Sequence, residues 1–399
     1  MDFSDLRLDT RAIHTGDDVT YRPNAGVLPA FRTTTGVFDD ADDFETAMAG
    51  GGHVYGRLPD HNPNHRDLQQ KLAALEGGAA ALVFSSGMAA ITCCLLGFLG
   101  ARDEVIAQEV LYSGTYDLLT RDFRRLGIPV YRRQFYALSD IAPHFKPQTS
   151  CIFIETPSNP LLEMTDLRGF GDLLEKDGII TIVDGTFATP YNQRLIEKFR
   201  IPIAIHSTTK YLNGHGDIIG GVAIFSEEFT RRREYAAIRS AYATFGAVPS
   251  PADSRDMTGH LDTFGLRMAR HNRSGATLAR MLARSPRVER VYYPGLARGE
   301  AREIVELQLT NGCGGTLSFT LHDGAAVWKK FVNVLCKETF VKGVVSLGSP
   351  KTHICRPAGT THRQCWKEMG IPEFLLRVSV GLEDTDDILD AFKIAFNAL

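Results

Sequence analysis

The chain alternates between short apolar runs and longer segments in which apolar residues recur every three or four positions. The runs ALVFS (81–85), EVIAQE (104–109), IPVYRRQF (128–135), SCIFIET (150–156), GIITIVD (178–184), IPIAIHS (201–207) and GGVAIFS (220–226) read as strands. Helical stretches lie between most of them. In HRDLQQKLAALEGG, Leu68, Leu72 and Leu75 share one helix face, and Gly77-Gly78 supplies the stop. Strands that are apolar throughout are buried on both faces. The alternation therefore predicts an α/β fold, with a seven-stranded, mostly parallel sheet between helices.

The two ends of the chain follow other patterns. Residues 1–60 show little regular period and carry the turn signals RPNAG and AGGGH, which predicts an extended arm lying over another surface. From 255 onward, MTGHLDTFGLRMARHNRSGATLARMLARSPRV reads as one long helix. Short strands (TLSFTL, LLRVSVGL) and helices (AAVWKKFVNVL, TDDILDAFKIAFNAL) follow it. This predicts a smaller α+β domain over 255–399, beside a large domain over 61–254.

Composition narrows the function classes. A chain of 399 residues with 44% hydrophobic and 23% charged residues is globular and too long for one core. A formal net charge of -3 gives no electrostatic case for nucleic acid or an anionic membrane. No apolar stretch is long enough to span a bilayer, and MDFSDLRLDTRAIHTG lacks the basic-then-apolar order of a signal peptide, so the expected location is the cytoplasm. The seven cysteines lie mostly in apolar segments, which predicts buried, reduced thiols. His61, His65, His353 and His362 have no Cys or carboxylate pattern beside them, so no metal is expected.

The chemistry concentrates where strands end. IPIAIHS runs into a hydroxyl cluster, Ser207, Thr208 and Thr209, directly followed by Lys210; GIITIVD ends on a single carboxylate, Asp184. Taken alone, these are a surface lysine and a helix-capping aspartate. Together they suit pyridoxal phosphate: a lysine to bond the aldehyde, and a carboxylate to keep the pyridine nitrogen protonated. A phosphate site is also present. In ALVFSSGMAAITCCLLGFL a strand turns through Ser85-Ser86-Gly87 into a helix whose first N–H groups are free to meet an anion, and Ser207 and Thr209 can add hydroxyls. Neither a GxGxxG nor a P-loop competes for that role.

The motifs YGR, SSGMAA, LYSGTYDLL, ETPSNP, VDGTFATP, HSTTKYLNGHGD, VVSLG and LRVSVGLED, spread over nearly the whole chain, resemble the Cys/Met-metabolism branch of fold-type I pyridoxal-phosphate enzymes. That branch includes cystathionine γ-synthase and γ-lyase, methionine γ-lyase and the O-acyl-homoserine sulfhydrylases. The resemblance implies that Lys210 binds the cofactor, that Asp184 pairs with the ring nitrogen, and that Ser86, Gly87, Met88, Ser207 and Thr209 hold the phosphate. It implies that Tyr112 stacks on the ring and protonates a leaving group, and that Asn159 touches the ring hydroxyl. Thr186 joins the cofactor contacts. The resemblance implies that Arg377 clamps the substrate carboxylate, with Asn159, Val345 and Ser346 bordering the substrate. By the same resemblance Tyr55 and Arg57 would reach the phosphate of an adjacent subunit, which implies shared active sites in a homotetramer built as a dimer of dimers.

Several positions depart from that pattern. Gly185 replaces the asparagine of the usual VDNT, which loosens the backbone beside Asp184, and the YGRLPDHNPN loop is lengthened. Ser113-Gly114 stands where methionine γ-lyases place a cysteine, and Val345 where cystathionine-handling members place a glutamate. GSPKT, RPAGTTH and the Gly-His-Gly at 214–216 lean toward the sulfhydrylases. The expected reaction is γ-elimination on a homoserine- or homocysteine-derived amino acid, with γ-replacement as the alternative. An aminotransferase, a β-lyase and a non-catalytic binding protein stand behind these.

Overall fold

The computed structural model describes residues 6–16 and 26–399. The seven predicted strands all form, as β1 (Ala80–Phe84), β2 (Glu104–Ala107), β3 (Val130–Arg132), β4 (Thr149–Glu155), β5 (Ile180–Asp184), β6 (Ile203–His206) and β7 (Gly221–Phe225). They make one sheet in the order β1-β7-β6-β5-β4-β2-β3. Pairing is parallel except at β7, which runs antiparallel to both β1 and β6. Both faces of the sheet are buried, which is why the strands carry no polar alternation. Ile152, Ile154, Val183 and Ala204 pack into one apolar layer, and Phe153, Ile182, Ile203 and Ile205 into the other. The carboxyl ends of β4, β5 and β6 lie at one edge, which is where ligands of such sheets bind.

A second sheet follows, with β8 (Val288–Tyr292), β9 (Thr316–Leu321), β10 (Lys342–Gly343), β11 (His353–Cys355) and β12 (Leu376–Ser379) in the order β10-β11-β12-β9-β8. Leu317, Phe319, Leu376 and Val378 bury one face of this sheet against the helices Gly324–Glu338 and Thr385–Asn397, through residues such as Phe331 and Phe392.

Three local expectations change. The helix expected over HRDLQQKLAALEGG starts earlier, at Pro63, because the Asn62 side chain caps the N–H groups of Asn64 and His65. It ends as expected at Gly77, in the left-handed region at φ 77°. The single long helix expected from 257 is two, Pro251–Leu261 and Phe264–Arg284. At the break, Arg267 Nη2 takes the His260 carbonyl at 2.9 Å and the Thr263 hydroxyl takes the same oxygen at 3.3 Å. The arm is also less extended than its pattern predicts. Helix Leu8–His14 buries Leu8 and Ala12 in the core that holds helix Pro63–Glu76, and Ala41–Thr46 forms a second short helix. Most of the RPNAG turn lies outside the described residues. All seven cysteines are free thiols, five of them buried. No helix among the described residues is long and apolar enough to cross a membrane.

Candidate active site

A cavity of about 270 Å³ opens at the carboxyl edge of the first sheet and reaches the second. Twelve of the residues singled out from sequence border it: Ser86, Gly87, Met88, Tyr112, Asn159, Asp184, Thr186, Ser207, Thr209, Lys210, Val345 and Arg377.

One wall is the start of helix Gly87–Phe98. The Ser86 hydroxyl caps it by accepting the Ala89 N–H at 3.0 Å, and the N–H groups of Gly87 and Met88 have no acceptor within the helix. A side chain at position 87 would meet the Ser207 Cβ at 2.8 Å, so glycine lets this helix start approach the end of β6. Ser207 is tied in turn to the end of β5: its N–H donates to Thr186 Oγ1 at 2.8 Å. Thr186 then donates to Asp184 Oδ1 twice, through N–H at 2.9 Å and Oγ1 at 2.5 Å. Burial pushes the Asp184 carboxyl up, and the two Thr186 bonds, with His206 behind them, oppose that rise.

Lys210 follows the β6 turn, and its Nζ donates to Ser346 Oγ at 3.1 Å, a residue from the second half of the chain. Burial, with Arg377 as a second cause, brings the amine down to about 8. Arg377 lies on β12 and is 2% exposed. Its Nη1 donates to Asn159 Oδ1 at 2.7 Å and its Nη2 to the Val345 carbonyl at 2.8 Å. Both acceptors are neutral, and Arg377 forms no ion pair among the described residues. That rules out the plain reading of Arg377 as half of a surface salt bridge. A buried guanidinium whose two hydrogen-bond acceptors are neutral, with the Glu155 carboxyl as the nearby charge, can still receive an anion.

Tyr112 is 39% exposed at the mouth. A side chain at position 114 would lie 2.7 Å from its ring and 2.9 Å from Met88 Sδ, so glycine makes room for the phenol there. Gly185, expected to loosen the backbone, is instead packed: a side chain there would meet Leu195 at 2.8 Å and the His206 ring at 2.9 Å. His206 is itself fixed by a buried 3.0 Å contact to Glu76. Tyr55 and Arg57 do not border the cavity. The Arg57 guanidinium sits 5.2 Å from the Tyr55 ring centroid and donates to the Ala243 carbonyl. Lys351 is exposed and not part of the lining. His65 and His362 each meet a main-chain carbonyl, of Pro249 at 3.0 Å and Leu111 at 3.1 Å. Among the described residues, no group of three or more His, Cys, Asp or Glu side chains is placed to hold a metal ion.

The model of the Cys/Met metabolism PLP-dependent enzyme family matches residues 9–397. The chain belongs to that family. It is 36% identical over 395 residues to an L-methionine gamma-lyase of Pseudomonas putida, covering 98% of this chain and 97% of that protein. A cystathionine gamma-synthase of Mycobacterium leprae (strain TN) is 33% identical over 396 residues, covering 98% of this chain and 97% of that protein. Among solved structures, cystathionine gamma-lyase from Lactobacillus plantarum, complexed with L-serine, superposes with a TM-score of 0.89 at 29% identity. That match covers 98% of this chain and 99% of the other.

The chain is thus a PLP-dependent enzyme of lyase or transferase type. The residues present fit the cofactor. The close approach at Gly87 leaves a helix start facing hydroxyls for a phosphate, a buried acid stands at Asp184 for the ring nitrogen, and an amine of lowered basicity stands at Lys210. Sequence reasoning did not single out Ile91, Phe187, Ile219, Leu347 and Thr361 of the lining, nor give Glu155 a contact. Glu155 lies within ETPSNP, Phe187 within VDGTFATP, Leu347 within VVSLG and Thr361 within RPAGTTH, so motifs pointed to all four. Ile219, 68% exposed, carries no local signal.

Proposed function

We propose that the protein catalyses γ-elimination on a γ-substituted amino acid derived from homoserine or homocysteine. The observation that carries this is one cavity uniting the Lys210 amine, the Tyr112 phenol and the Arg377 guanidinium, whose hydrogen bonds go to the neutral Asn159 Oδ1 and Val345 carbonyl. Bound pyridoxal phosphate supplies an electron sink for the charge left when the substrate loses its Cα proton. Arg377 binds the substrate carboxylate and so fixes which Cα bond faces Lys210. The Lys210 amine takes the Cα proton and then serves Cβ, while the Tyr112 phenol supplies a proton to the group leaving Cγ. Asp184 keeps the ring nitrogen protonated. The helix start at Gly87 and Met88, with Ser86, Ser207 and Thr209, holds the phosphate; Asn159 meets the ring hydroxyl. One water is consumed in releasing the nitrogen, and the products are a 2-oxo acid, ammonia and the protonated substituent.

γ-Replacement is the second reading, favoured by the RPAGTTH segment, which leans toward sulfhydrylases and contributes Thr361 to the lining. Offered O-acetylhomoserine or O-succinylhomoserine with sulfide, and separately γ-substituted amino acids alone, the enzyme should release 2-oxo acid without an added nucleophile. A new amino acid formed only when sulfide is present would make it a transferase. The mouth also bears on the substrate's distal end. Val345 is 53% exposed and Ile219 68% exposed there, and neither offers a charge to a second ammonium. Cystathionine should therefore be a poor substrate in the same panel, and Val345→Glu should raise its relative kcat/KM. Equal cleavage of cystathionine and simpler substrates by the wild type would defeat the argument.

Tyr55 and Arg57 are best read as serving a neighbour's phosphate, within a dimer that pairs into a tetramer. Val37, Phe44, Met48 and Tyr55 are exposed apolar positions on the same segment, which suits the arm over 1–60 covering a second copy. Mixing Lys210→Ala with Arg57→Ala subunits should restore part of the lost activity, up to about one quarter of the sites being intact at random pairing. No recovery after verified subunit exchange would exclude a shared site. A large domain over 61–254 and a smaller one over 255–399, in a cytoplasmic protein with reduced thiols, complete the reading.

A further inference from the structure

The peptide joining Leu111 to Tyr112 is gripped at both of its polar atoms by buried side chains from distant parts of the chain. Glu155, the last residue of β4, accepts the Tyr112 N–H on Oε2 at 2.8 Å and the Asn159 N–H on Oε1 at 2.7 Å. His362, in the segment between β11 and β12, meets the Leu111 carbonyl through Nε2 at 3.1 Å. A carbonyl only accepts, so Nε2 carries the ring proton, and the Thr361 hydroxyl 2.9 Å from Nδ1 can donate to that nitrogen. Burial draws the His362 imidazole down to about 4, which leaves it neutral as this arrangement requires.

The N–H and C=O of one peptide are its only polar groups and share one rigid plane. With both engaged by buried partners, that plane cannot turn without breaking a bond in the interior. Its orientation sets where the Tyr112 side chain leaves the backbone. The ring otherwise stands at the cavity mouth, partly open to solvent. We propose that Glu155 and His362 are positioning residues that jointly fix the Leu111–Tyr112 peptide and thereby hold the Tyr112 phenol in place over the cofactor. This rests on the role given to Tyr112 above. The segment that supplies His362 also lends Thr361 to the cavity, so the second half of the chain helps set a residue at the edge of the first sheet.

The test uses the cofactor-loaded enzyme and reads kcat, KM and the visible circular dichroism of bound pyridoxal phosphate. His362→Phe removes the donor while keeping a ring of similar size; His362→Gln returns an N–H near the Nε2 position. Glu155→Gln is the independent arm, because an amide has one acceptor oxygen and must set its NH2 against the N–H of Tyr112 or Asn159. Loss of one such bond should lower kcat about tenfold in His362→Phe and in Glu155→Gln, with KM within about twofold. Both should weaken the cofactor's dichroism without loss of bound cofactor, and His362→Gln should restore most of both signals. In a Tyr112→Phe background, His362→Phe should cost less than about twofold more, since the two act through one group. Unchanged kcat and dichroism in both His362→Phe and Glu155→Gln, or full additivity with Tyr112→Phe, would overturn the clamp. Tyr112→Phe that leaves kcat intact would instead remove the role given to the phenol, while the dichroism still decides whether the clamp exists.

Discussion

Lys210→Ala is expected to abolish the yellow colour of the purified enzyme and to lower turnover by about 10⁴-fold or more, combining loss of covalent attachment with loss of a general base. The size follows from the surroundings of the amine. Burial lowers it to about 8, so an appreciable share is unprotonated near neutral pH, and Arg377 nearby adds to the effect. Among the residues lining the cavity it is the only lysine, and its hydrogen bond to Ser346 holds it at the cavity wall. No neighbouring amine can take its place. Absorbance of the purified variant and single-turnover kinetics check the result. A colourless wild-type enzyme with full activity would refute the assignment of Lys210.

Arg377→Ala should lower kcat/KM by about 100- to 1,000-fold, the order expected when a buried two-pronged carboxylate clamp is removed. Most of that loss should appear in KM, because the carboxylate is bound before and during the reaction alike. Arg377→Lys should recover only part of it. Lysine restores the charge but not the fork that here spans Asn159 Oδ1 and the Val345 carbonyl. The bound-cofactor spectrum should persist in both variants, which separates loss of substrate binding from loss of the site. A kcat/KM within about threefold of wild type in Arg377→Ala would place the substrate carboxylate elsewhere.

The particular residues divide by how far their signal travels along the chain. Asp184 and Lys210 were legible because each ends an apolar run, and a polar group at the end of a buried strand emerges at the sheet's edge wherever the strand lies in the order. The helix start at Ser86-Gly87-Met88 was legible for the same local reason. Tyr112 and Asn159 came from short motifs rather than from periodicity. The helix break at 262–263 was not legible, since it depends on a guanidinium from the next helix capturing the His260 carbonyl. Nor was the packed state of Gly185, because His206 and Leu195 reach it from outside its own strand.

What the sequence determined by itself was therefore the set of elements and the chemical groups at their ends. Burial on both faces demands unbroken apolar strands, and a cofactor site demands a lysine, an acid and a phosphate-facing helix start within one sheet. The tertiary structure decided which groups meet. Ser346 and Arg377 arrive at Lys210 and Asn159 from more than a hundred residues away. Glu155 closes on one peptide from the end of β4, and His362 closes on it from the segment between β11 and β12. Hydrophobic periodicity acts over a few residues, whereas such meetings are fixed by how whole layers pack, and no local pattern encodes a distance between two layers.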